Sequence, residues 1–114
     1  MNRTAENSTR GDLKIVLSTV SSKEEALRIA RTLVEKKLAA CVNIVEGVHS
    51  IYRWQDKVED AAEVLLLIKT TEDSLAALEV NLKTLHSYEL PEFLVLTPSQ
   101  ASDSYLHWIQ SSVR

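Results

Sequence analysis

The stretch LHSYELPEFLVL, Leu85–Leu96, places His86, Tyr88, Glu89, Pro91 and Glu92 within seven residues. One imidazole and two carboxylates are donors that a divalent cation accepts. His86, Glu89 and Glu92 are therefore candidate metal ligands for copper or another divalent cation, in a weak site. Each also has a structural use. A histidine that closes a helix complements the C-terminal dipole by a few tenths to about 1 kcal/mol. Glu92 follows Pro91 at the start of an apolar run, where its freedom is small and a backbone hydrogen bond would serve. Tyr88 must bury its ring and still find a partner for its hydroxyl. That partner is expected on a neighbouring chain.

Further along the chain, Tyr52 and Trp54 alternate and so share a face. They either pack at a subunit contact or wall a cleft for a small ligand. Glu63 and Lys69 share a face of the partner strand and either pair with a neighbouring subunit or line the same cleft. Cys41, in Ala-Ala-Cys-Val, reads as a core residue. His49 and His107 stand alone and read as surface residues. No Ser/His/Asp set or pair of acids at catalytic spacing emerges, and no enzymatic activity is expected.

Composition narrows the classes. The chain has 114 residues, two glycines, two prolines, one cysteine and a formal net charge of −3. Phosphate-binding loops of the Gly-rich kinds are excluded. So are CxxC, HExxH and GxSxG motifs. The charge leaves no electrostatic footprint for nucleic acid. Apolar runs such as Val64–Ile68 are too short for membrane insertion. The first residues lack the apolar segment of a secretory signal. With a single cysteine, a reducing, cytoplasmic setting is expected.

The elements that must position these residues follow from periodicity. Residues 1–12 read as a disordered tail, and 13–114 as one domain. LKIVLSTV (13–20) reads as a buried strand. A helix follows, with a capping box of Ser21 with Glu24 or Ser22 with Glu25. Residues 39–55 form a strand, with Gly47 marking a bulge or bend. Gln55-Asp56-Lys57 turns into a strand over 60–70. A second helix, capped near Thr70 or Thr71, carries Leu75, Leu78, Leu82 and Leu85. Residues 91–98 form the last strand, and a short helix closes the chain with Tyr105, Leu106 and Ile109 inward. The order βαββαβ plus a C-terminal helix is an α+β, ferredoxin-like sandwich with a long central hairpin.

Two features exceed what one such subunit needs. In VLLLIK, Val64, Leu66 and Ile68 point one way and Leu65 and Leu67 the other, so both faces of the strand are apolar. The hairpin, at roughly 14 residues per strand and about 3.3 Å each, would reach about 45 Å. Both point to a homo-oligomer with packed sheets. The alternative is that Leu65 and Leu67 lie under the last helix while the hairpin frays.

LVEKKLAACVNI, SIYRW, EVLLLIKT, LHSYELPEFLVL and YLHWI occur in the order found in the CutA family of divalent-cation-tolerance proteins, which the chain resembles over about residues 13–112. The resemblance implies a non-enzymatic homotrimer whose hairpins reach across to neighbours, and a part in the response to copper and other divalent cations. Two departures touch the loops: Asp56 stands where the family has glycine, and Ser87 where it has proline. A third touches a copper site that the resemblance implies. Its cysteine and two successive histidines match Ser18, Leu85 and His86, so one ligand of the three remains. A trimeric small-molecule signal binder of the PII kind, with ligands between subunits, is the rival; a purely structural trimer is the third reading.

Overall fold

The computed structural model describes residues 11–113. Most of the expected tail, residues 1–10, lies outside the described residues. Gly11 and Asp12 are tied down. Gln110 Nε2 donates to the Gly11 carbonyl at 2.9 Å, and the Glu72 N–H donates to the Asp12 carbonyl at 3.0 Å.

The elements are β1 (Leu13–Val20), α1 (Lys23–Glu35), β2 (Cys41–Trp54), β3 (Lys57–Thr71), a 3-10 turn (Glu72–Ser74), α2 (Leu75–Leu85), β4 (Leu94–Leu96) and α3 (Asp103–Ser112). The strands form one sheet in the order β2-β3-β1-β4, with every neighbouring pair antiparallel. This is the ferredoxin-like α+β order that the element pattern predicts.

One face of the sheet is dry. Val16 and Val20 of β1 and Leu66 and Ile68 of β3 are fully buried with Ile29 and Leu33 of α1 and Leu78 and Leu82 of α2. These residues alternate along the strands and recur at helical spacing on α1 and α2, which is why the two helices lie on the same face. The opposite face carries Ile15, Leu17, Val45, Leu65, Leu67, Leu94 and Leu96. All are half-buried or exposed, and Leu94 reaches 51%.

Local chemistry sets the boundaries. Ser22 caps α1: its Oγ accepts from the Glu25 N–H at 3.1 Å. At the other end Lys37 adopts φ 60, with Lys37 N–H to Val34 O and Leu38 N–H to Leu33 O. That is a Schellman close, with lysine where glycine is usual. The second helix begins later than predicted. Thr71 leads the 3-10 turn and donates to Asp73 Oδ1, while Thr70 stays in β3 and donates to the Leu38 carbonyl from a buried position. The last strand is shorter than predicted, three residues rather than eight. α3 buries Ile109 completely, but Tyr105 is 39% exposed and stacks obliquely on Trp108 rather than turning inward.

The hairpin does not fray. Its pairing continues to Trp54 opposite Lys57, and the molecule is 53 Å long. Gln55 and Asp56, both at positive φ, form a two-residue turn of the mirror-image type that suits a twisted hairpin. Gly47, at φ +82, sits in the expected bulge. Val45 faces Leu65 but Val48 faces Glu63, so β2 spends one extra residue there. Before the bulge, odd positions of β2 lie on the open face; after it, even positions do.

The loop after α2 is fastened to α1. Glu25 accepts from the Ser87 N–H (2.8 Å), the Ser87 hydroxyl (3.0 Å) and the Ser21 hydroxyl (3.0 Å). Glu25 therefore serves as more than a member of a capping box. Its carboxylate reaches another segment.

Two outcomes follow. A side chain at Gly47 meets no atom within 4 Å, so only the backbone resists it. Gly47→Ala should lower stability by about 1 kcal/mol, read as a shift in the urea midpoint. For Glu25, burial pushes the carboxyl pKa up, but the hydrogen bonds from Ser87 and Ser21 outweigh it and hold it below the ordinary value. The unfolded chain then binds the proton more tightly. The stabilisation is complete above the ordinary carboxylate pKa and is lost as pH falls through the folded value. Glu25→Gln should be less stable than the parent by on the order of 1–3 kcal/mol at neutral pH. The gap should close in urea titrations below about pH 4.

Candidate functional site

The loop from His86 to Glu92 and the bulged half of β2 face each other across the open sheet. Between them lies a cleft of about 660 Å³. β2 contributes Ser50, Tyr52 and Trp54, β3 contributes Glu63, β1 contributes Thr19, and the loop contributes Tyr88, Glu89, Leu90, Pro91 and Glu92. The bulge makes this possible, because it moves Tyr52 and Trp54 onto the same face as Glu63.

Tyr88 bridges the two walls. Its hydroxyl donates to Glu63 Oε2 at 2.6 Å. The partner thus lies on the same chain, not on a neighbour as the sequence suggested. Burial, the bond to Glu63 and the carboxylate charges all raise the phenol pKa, so Tyr88 remains a donor. Glu63 is only 9% exposed, whereas Glu89 and Glu92 are exposed. Glu92 Oε1 accepts from the Thr19 hydroxyl at 3.4 Å, a long bond.

His86 is elsewhere in its chemistry. It is buried, its backbone N–H closes α2 on Leu82 O, and both ring nitrogens are occupied. Nδ1 accepts the Tyr88 N–H at 3.0 Å, so Nε2 is the atom that donates to the Thr19 carbonyl at 2.9 Å. Thr19 lies two residues past Leu17, the last β1 residue paired with β4. The imidazole takes over where the short strand stops. A metal ligand needs a free lone pair, and His86 has none. Of the expected set of His86, Glu89 and Glu92, the two carboxylates line the cleft, and His86 lies behind it with both ring nitrogens engaged. Among the described residues no three His, Cys, Asp or Glu side chains are grouped to hold a metal ion. Ser18 and Leu85, at the positions of the two absent ligands, face the interior. Ser18 Oγ is fully buried without a hydrogen-bond partner among the described residues, and Leu85 packs against the core.

The other candidates divide. Tyr52, Trp54, Glu63 and Tyr88 come together. Lys69 shares their sheet face but lies six residues along β3 from Glu63, about 20 Å away, and donates to Asn43 Oδ1 instead. Cys41, opposite Lys69, is half-buried on the open face rather than in the core, because the odd positions of β2 before Gly47 face outward. His49 is exposed beside Asp60, and His107 is exposed. Thr19, Ser50 and Leu90 were not singled out from sequence. Ser50 could have been, since it precedes Tyr52 by two residues.

Residues 14–112 match the family model described as CutA1 divalent ion tolerance protein. The divalent-cation tolerance protein CutA of Thermus thermophilus is 46% identical over 99 residues, 87% of this chain and 96% of that one. The chloroplastic CutA protein of Arabidopsis thaliana is 41% identical over 100 residues, 88% of this chain and 55% of that one. The chain thus spans about half the length of that plant relative. Among solved structures, CutA1 of Thermus thermophilus superposes with a TM-score of 0.88 at 45% identity, covering 90% of this chain and 99% of that one. CutA1 of Oryza sativa superposes with 0.89 at 43% identity, covering 94% and 98%. With the ferredoxin-like sheet, the long hairpin and this extent of identity, the chain belongs to the CutA1 divalent ion tolerance protein family.

Proposed function

We propose that the protein is a non-enzymatic homotrimer acting in tolerance of divalent cations, with only weak cation binding of its own. The observation that carries this reading is the uncovered apolar face of the sheet. Ile15, Leu17, Leu65, Leu67, Leu94 and Leu96 are adjacent in register there, and although α3 packs on β1 and β3, no element among the described residues buries them. Contiguous exposed apolar surface of this kind is a site of association. The 53 Å length supports the same reading, since the distal hairpin, with Ile51 at 73% and Val58 at 68% exposure, projects past its own core. The number three comes from the family resemblance. A cytoplasmic setting fits the free thiol of Cys41.

Glu89 and Glu92 are the cation donors within this proposal. Two exposed carboxylates bind a divalent ion loosely and without preference for copper, which favours imidazole and thiolate.

The rival reading, a small-molecule binder, is favoured by the volume of the cleft, which suits a small ligand. No lysine, arginine or histidine lines it, which speaks against the phosphate-bearing ligands of PII-like regulators.

Light scattering at micromolar concentration should give three times the subunit mass, and a folded monomer would overturn the trimer. Titration with copper should give the same weak uptake in His86→Ala as in the parent, while the thermal midpoint of the variant falls. A large loss of copper binding with unchanged stability would restore His86 as a ligand.

A further inference from the structure

We infer that the cleft is completed by a second copy of the chain, whose Lys57 enters it and donates to the free oxygen of Glu63. The inference rests on the reading that copies assemble through the open face, and it names the side chain that one copy gives to the cleft of the next.

Glu63 sets the requirement. It is the one buried carboxylate of the three that line the cleft. Tyr88 gives its single hydroxyl proton to Oε2, and Oε1 has no hydrogen-bond partner among the described residues. No lysine, arginine or histidine lines the cleft. Assembly on this face takes Glu63 further out of water, and a desolvated carboxylate is stable only when it is paired. The cation must therefore arrive with the second copy.

Register identifies it. β3 carries no bulge of its own, so Lys57 and Lys69 share the open face with Glu63, Leu65 and Leu67. These two lysines are the strand cations of that face. Lys69 already donates to Asn43 Oδ1. Lys57 is exposed, and its amine has no partner among the described residues. Arg53 is also without a partner there, but it stands opposite Val58 in the register and so lies on the other face.

Distance excludes the chain's own Lys57. Six residues of strand separate it from Glu63, about 20 Å, well beyond the reach of a lysine side chain. The hairpin tip carries Lys57 past its own core, at one end of a molecule 53 Å long, and so offers the amine outward. The receiving cleft suits the whole side chain. The amine meets Glu63, with Glu89 and Glu92 at the mouth, and the methylene stem lies against Tyr52 and Trp54. Tip and cleft are different surfaces, so each copy gives one lysine and receives one, and a closed ring satisfies all of them.

The test follows subunit exchange between isotopically heavy and light full chains by native mass spectrometry, at one low urea concentration at which the parent stays folded. Removing one member of a desolvated pair leaves the other uncompensated. Lys57→Met and Glu63→Gln, which keeps an acceptor for Tyr88, should each speed exchange at least tenfold. Within one chain the two sites are too far apart to couple, and their effects would add. Across the interface they are partners, so the double variant should exchange no faster than the faster single variant. Arg53→Met removes the same charge from the other face of the same hairpin and should change the rate less than threefold. If Glu63→Gln proves poorly folded by circular dichroism, Glu89→Gln with Glu92→Gln takes its place, and a several-fold acceleration that does not add to that of Lys57→Met is expected. Equal effects of Lys57→Met and Arg53→Met, additive effects, or exchange indifferent to Lys57 would overturn the inference. Light scattering on the same samples separates it from the assembly reading. A parent trimer whose Lys57→Met variant exchanges at the parent rate refutes the lysine and leaves the assembly standing, whereas a folded parent monomer refutes both.

Discussion

Two helices cover one face of a four-stranded sheet, and β3 is apolar on both. Most other features depend on that imbalance. Val64, Leu66 and Ile68 have α1 and α2 above them, while Leu65 and Leu67 look the other way. Hydrophobic burial stabilises by about 25 cal/mol for each Å² removed from water, so a face left half wet holds unused association energy. The small core of the chain is completed on the helix side alone.

The loop from His86 to Glu92 has no regular hydrogen-bond ladder, yet it is held at three points by side chains. Glu25 receives Ser87, His86 reaches the carbonyl of Thr19, and Tyr88 reaches Glu63. These anchors come from α1, β1 and β3, so the loop is fixed to three separate parts of the fold. Buried polar groups of this kind are stabilising only as a completed set, because each lost partner leaves another group desolvated. The consequence for the cleft is a wall whose position is set by hydrogen-bond geometry, although its backbone is irregular.

Legibility in the sequence followed the range of each interaction. Strand and helix periodicities, the bulge at Gly47, and the sharing of a face by Tyr52 and Trp54 are local and could be read directly. So could the two-faced nature of β3. The partner of Tyr88 was assigned to another chain because Glu63 is 25 residues away, and only the folded register brings them together. The engagement of His86 is hidden for the same reason. Its residue type allows metal ligation, and only the positions of Thr19 and Tyr88 show that both nitrogens are taken. Cys41 was read as core from its residue type, whereas its odd position on β2 places it outside. The shortness of β4 was hidden because FLVL is apolar throughout and Pro91 marks where a strand is permitted, not where pairing starts.

The extra residue at Gly47 gives β2 two segments of opposite phase. Along the first, Cys41, Asn43 and Val45 share the open face; along the second, Val48, Ser50, Tyr52 and Trp54 do. The amino acids on the other side of the second segment include Ile51 and Arg53. Were the same residues paired without the bulge, strict alternation from Val45 would bring odd positions onto the open face and rotate the distal segment by half a turn. Arg53 would then stand on the side of Glu63, and a guanidinium would neutralise from within what the present arrangement leaves negative. The acidity of the cleft is thus encoded less by which residues the hairpin contains than by the one residue that bulges out of the ladder.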